Sequence, residues 1–92
     1  EIVSSGLEIE QSQKEGIRFF FKNANLDKIN WQSDEFKGKA DMIELLPSKD
    51  LILMKGNVEF NEGDMKIISD EISYDLISDR ILRSVNTNII KY

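Results

Sequence analysis

The side chains best suited to acid–base chemistry are the carboxylates Asp41, Asp70, Glu71, Asp75 and Asp79. Two carboxylates facing each other across a cleft would make a glycosidase pair, one acting as acid and the other as base or nucleophile. A chain of 92 residues leaves little room for such a cleft. Asp70, Asp75 and Asp79 fall where strands end or face water, and Asp79 is placed to accept turn hydrogen bonds. The segment Asn61-Glu62-Gly63-Asp64 is too short for a calcium loop of the EF-hand kind and reads as a hairpin loop. Ser69, Ser73 and Ser84 have no His to activate them, since the chain contains none; a nucleophilic triad and the commonest metal ligand are both missing. There is no Cys either, which removes thiolate metal sites and any disulfide framework. No glycine-rich loop of the phosphate-cradling type appears. The expectation is a protein without catalytic residues, metal or cofactor.

Composition narrows the partners. The 12 basic and 17 acidic residues are interspersed and leave a net charge of −5. A nucleic-acid binder would present a basic stripe. Lys37 and Lys39 are the nearest approach to one, but Asp34, Glu35 and Asp41 surround them. This is the pattern of a solvated mixed-charge face. No apolar run approaches the ~20 residues that span a bilayer as a helix. The chain opens Glu-Ile-Val, without a start Met or a signal segment, as expected of a processed form or an excised domain. Its length points to one domain, residues 1–92, with a modest core.

The elements that would position any site are strands. Leu7 and Ile9 alternate with Glu8 and Glu10, and Ile17, Phe19 and Phe21 alternate with Arg18, Phe20 and Lys22. Ile52, Met54, Gly56, Val58 and Phe60 share one side, with Lys55, Asn57 and Glu59 on the other. Ile72, Tyr74 and Leu76 continue the pattern, as do Ile81, Val85 and Ile89. A period of two residues means antiparallel strands buried on one face. Turn signals separate them: Lys14-Glu15-Gly16, Asn23-Ala24-Asn25, Pro47 to Asp50, Gly63, and Ile77-Ser78-Asp79. Strands are therefore expected over 6–12, 17–22, 26–32, 36–46, 51–60, 65–76 and 80–91. The stretch 36–46 also shows helical spacing at Phe36, Ala40 and Ile43, but Gly38 and the run Met42 to Leu46 favour a strand.

A constant offset carries Asp41 to Asp70, Ile43 to Ile72, Asp50 to Asp79, Ile52 to Ile81 and Leu53 to Leu82. Either this is a repeated hairpin unit, as in stacked β-architectures, or it is chance matching between strand-rich segments. The three consecutive rings Phe19, Phe20 and Phe21 cannot all point to one face. Phe20 is accounted for by a second layer, by a partner, or as a lone surface ring. Trp31 reads first as a core ring.

The run Leu53-Met54-Lys55-Gly56-Asn57-Val58-Glu59-Phe60, then Gly63-Asp64-Met65-Lys66-Ile67, then Ser69-Asp70-Glu71-Ile72-Ser73-Tyr74-Asp75, resembles the lipopolysaccharide-transport β-jellyroll family: the OstA-like domains of LptA, LptC and the N-terminal part of LptD. The likeness extends from Leu51 to Ile90, with Ala40 to Leu46 as one more copy of the unit. The chain is shorter than such domains usually are.

The resemblance implies an all-β fold, a twisted antiparallel β-jellyroll or β-sandwich with open edge strands. It implies a non-enzymatic periplasmic carrier or bridge component, tethered to the inner membrane if a segment outside this chain provides the anchor. Its partners would be lipopolysaccharide, through lipid A, and other jellyroll transport proteins joined by edge-strand addition, with head-to-tail self-association and no nucleic acid. Acyl chains gain ~0.8 kcal/mol per buried methylene on entering a dry trough. The positions expected to line that trough are Ile43, Leu45, Ile52, Met54, Val58, Phe60, Ile72, Tyr74, Ile81 and Val85, with Phe19, Phe21 and Trp31 added by alternation. Lys22, Lys37 and Lys39 are the candidates for lipid phosphates. The alternative is a β-sandwich scaffold or adhesion module that binds only protein, its core closed to lipid.

Overall fold

A computed structural model describes residues 2–14, 16–29, 35–78 and 80–92. Among these the chain forms eight strands: β1 (Ile2–Val3), β2 (Gly6–Ser12), β3 (Gly16–Ile29), β4 (Glu35–Leu46), β5 (Leu51–Glu62), β6 (Met65–Asp75), β7 (Arg80–Val85) and β8 (Asn88–Lys91). All pairings are antiparallel within one sheet, a meander in which each long strand lies beside the next. At one edge β1 and β2 both pair with β3, end to end; at the other, β7 and β8 both pair with β6. The fold is all-β and jellyroll-like.

The turns follow the chain's own punctuation. Gly63 takes φ +59 between β5 and β6, and Glu62 pairs with Met65 across a tight loop. A positive φ at the first loop position is what glycine supplies to a II′ hairpin. Pro47–Lys49 form one turn of 3-10 helix between β4 and β5, closed by Asp50 at φ 50. The stretch expected over 36–46 is strand, not helix. The strands expected over 17–22 and 26–32 are one continuous β3 as far as Ile29, residues 30–32 lying outside the described residues; within it Asn23 keeps the left-handed conformation (φ 46) that its break signal announced.

That kink belongs to a crease running across the whole sheet. β3, β4 and β6 swap which parity faces inward at mid-strand. Phe21 gives way to Ala24, Ala40 to Ile43, and Ser69 to Ile72. β5 crosses the same line with a bulge at Gly56 and Asn57, both at positive φ. The edge strands break there, between β1 and β2 and between β7 and β8. A bulge bends and twists its strand; repeated in neighbouring strands, it folds the sheet into two walls, here called the β2–β7 wall and the β1–β8 wall. Phe60 and Tyr74 show how far the walls close. Phe60 pairs with Ile67 on β6, and residues 67 and 74 of a straight strand would stand ~23 Å apart. Yet the Phe60 and Tyr74 ring centroids are 5.6 Å apart. The inside of the crease carries small residues, Ala24, Ala40 and Ser69, all buried.

Candidate functional site

Two rows of inward side chains cross the β2–β7 wall. One runs Leu7, Phe21, Ile43, Met54, Ile72; the other runs Ile9, Phe19, Leu45, Ile52, Tyr74, Ile81. A third row, on the β1–β8 wall, runs Ile2, Leu26, Gly38, Phe60, Ile67, Ile89. Where the walls face each other the rows interlock. An added Cβ on Gly38 would come within 2.9 Å of Met54 Sδ, so glycine there lets the walls approach.

The interior is therefore filled at its centre. Ile43, Ile52, Met54, Val58, Phe60, Ile72 and Tyr74 are buried in one cluster, with Phe21, Leu45 and Ile81 packed partly buried against it. Phe19 is half-buried and stacks beside Phe21, centroids 6.5 Å apart at 27°. Val85 is half-buried outside the cluster and pairs with Glu71. Trp31 lies outside the described residues. The cluster is completed by Ala24, expected in a turn, by Ala40, and by Leu26 and Ile67, which sequence reasoning did not place in the core.

At the β2 flank the inward rows outrun their cover. Leu7 and Ile9 stand 52% and 64% exposed although they continue the buried rows, and Ile17 is also exposed. With half-buried Phe19 and Phe21 they form an apolar mouth opening into the core. The opposite wall contributes only the two-residue β1 on this side among the described residues. The alternation of Leu7, Ile9 and Ile17 with polar neighbours was a signal that these residues face inward. That the face lies open there depends on register and wall length, which alternation does not carry.

The outward face is mixed: ion-paired polar groups stand among exposed Val3, Ile68, Leu82 and Ile90. Glu44 is buried there and accepts hydrogen bonds from the Arg18 guanidinium, Nε at 2.7 Å, with Lys55 Nζ at 3.8 Å. A buried carboxylate needs such partners, because an unpaired one is expensive to desolvate. The Arg18 guanidinium also lies 5.3 Å over the Phe20 ring; the half-buried Phe20 is covered by its own strand's arginine. Lys66 Nζ stands 2.7 Å from Glu59 Oε1. That hydrogen bond and its charge hold the Glu59 carboxyl below its ordinary value and raise Lys66. Asp75 is held low by the Ile77 backbone N–H and the Ser78 hydroxyl.

The lysines considered for lipid phosphates do not gather at the mouth. Lys22 donates to Glu8 at 2.9 Å. Lys37 and Lys39 alternate with buried Gly38 and Ala40, and they line shallow outward depressions with Asn25, Glu59 and Asn61. Among the described residues no group of carboxylates comes together in a way that would hold a metal ion. No helix among them is long and apolar enough to cross a membrane. What the arrangement offers chemically is an apolar interior whose inward rows run out uncovered at β2 (Leu7, Ile9) and, in the third row, at Ile89 of β8.

A family model described as LptA/(LptD N-terminal domain) LPS transport protein matches residues 1–80. No curated protein matches the chain.

Proposed function

Since the chain belongs to the LptA/LptD N-terminal family of lipopolysaccharide-transport proteins, we propose that it is a non-enzymatic periplasmic carrier or bridge component that shelters lipid A acyl chains in its cleft. The acyl chains enter at the β2 flank and lie along Leu7, Ile9, Ile17, Phe19 and Phe21. The observation that carries this reading is the run of inward rows from the buried Ile43 and Ile52 out to exposed Leu7 and Ile9. A face that only packed two walls together would end where its cover ends; this one continues into solvent as a contiguous apolar patch, the mark of a binding surface. Acyl methylenes gain there what water denies them.

The two sheet edges support the bridging half of the proposal. β1 and β2 along one side, and β7 and β8 along the other, offer backbone groups for strand addition by neighbouring jellyroll transport proteins.

Photo-crosslinking to lipid A tests the cleft. A photoreactive residue at Phe19 or Phe21 should label lipid A, and one at outward Ser73 should not. Labelling from Ser73 but never from the mouth would overturn the proposal. Failure of lipid A to displace an apolar dye would favour a scaffold that binds only protein.

A further inference from the structure

The outer side of the crease carries a polar line that the lipid-binding reading does not use. Ser5, Asn23, Asp41, Asn57, Asp70 and Asn86 follow one another across the sheet where every strand bends. Three of the four asparagine and aspartate positions bent into the left-handed region lie on it: Asn23, Asn57 and Asn86, at φ 46, 49 and 52. Each of these carboxamides donates to the neighbouring segment that precedes it in the chain. Asn23 Nδ2 reaches Ser5 Oγ at 3.2 Å, Asn57 Nδ2 reaches Asp41 Oδ2 at 2.9 Å, and Asn86 Nδ2 reaches Asp70 Oδ2 at 2.7 Å.

The last two pairs are copies. The offset that takes Asp41 to Asp70 also takes Asn57 to Asn86. The repeat legible in the sequence is thus the repeat of a bend. Asparagine suits it twice over: it tolerates the left-handed backbone, and its amide ties the kinked strand to its neighbour. Gly56 completes the central copy at φ +80, where an added Cβ would sit 2.8 Å from Asp41 Oδ2.

We propose that the Asp41–Asn57 and Asp70–Asn86 pairs are positioning residues that set the angle between the two walls, and so the width of the cleft. They touch no ligand and act through the crease. The bearing on acyl chains rests on the lipid-binding reading above; the angle itself does not.

The experiment uses the absence of Cys to place spin labels at Gln13 and Asp64, exposed turns at the far ends of opposite walls. Asn57→Asp keeps a residue that accepts positive φ but sets carboxylate against carboxylate. It should lengthen and broaden the label-to-label distance. The swap Asp41→Asn with Asn57→Asp rebuilds an amide–carboxylate bond and should restore the original distance. Asn86→Asp and its swap with Asp70→Asn give the same test at the second pair, should the first single variant fail to fold. With lipid A, the single variants should bind more weakly than the parent, and the swaps should recover its affinity. Distances unchanged in folded single variants, or not restored by the swaps, would overturn the inference. If the parent protein binds no lipid A, the carrier reading falls, while the distances still decide this one.

Discussion

At the residue scale, burial and pairing separate positions that look alike in the chain. Val58 and Val85 both alternate with polar residues, yet Val58 is fully buried and Val85 is not. Val58→Glu would bring an unpaired charge into an apolar interior and should cost ~4 kcal/mol or more, enough to unfold a small protein. Urea denaturation followed by circular dichroism measures it. Phe60→Ala should cost about 3–5 kcal/mol through the cavity left beside Tyr74, read by the same titration. Asp75 makes a pH-dependent contribution. Its carboxylate accepts from the Ile77 N–H at 2.9 Å and the Ser78 hydroxyl at 3.0 Å, and its pKa is lowered. A depressed carboxylate stabilises the fold above its unfolded value of about 4, and that contribution is lost as pH falls through the lower folded value. Asp75→Ala should therefore melt below the parent at neutral pH, and the gap should close in strong acid; thermal scans across pH check it.

At the scale of elements, the crease decides what a strand's alternation means. Gly56 and Gly63 are both at positive φ, but an added Cβ at Gly63 meets nothing within 4 Å whereas one at Gly56 strikes the Asp41 carboxylate. Gly63→Ala should cost about 1 kcal/mol for the backbone alone, and Gly56→Ala about 2 kcal/mol or more, since it also displaces the crease pairing. Comparing the two midpoints in urea isolates the second effect. Ser69 acts beside the same line from within: its hydroxyl is 2.7 Å from the Val85 carbonyl and accepts from the Val85 N–H at 3.3 Å. It thereby satisfies backbone groups at the end of the β6–β7 ladder, just past the Glu71–Val85 pair.

At the scale of the whole molecule, the sheet closes over its crease but not along its edges. Four long strands fill the middle and short, broken ones flank them. Short edge strands limit uncontrolled pairing without abolishing it. Sedimentation should reveal oligomers that grow with protein concentration; a strict monomer at high concentration would mean that the edges are already covered. The same openness leaves Leu7, Ile9 and Ile17 in water, where the proposed acyl chains would cover them.

The chain by itself determined most of the strands and turns, because a pleated strand alternates locally and glycine, proline and asparagine mark its limits; it did not show the short β1 or the break at Asn86 that divides the strand expected over 80–91 into β7 and β8. It also determined most of the inward set from Ile43 to Tyr74, and the repeat that places Asp41 and Asp70. Only the tertiary structure decided that Asn23 kinks a strand instead of ending one, that parity reverses across the crease, that Asn57 and Asn86 pair with those aspartates, and which apolar rows run out uncovered. Alternation reports which side of its own strand a residue occupies. Whether another wall lies opposite depends on pairings between residues far apart in sequence, and a local period contains no record of them.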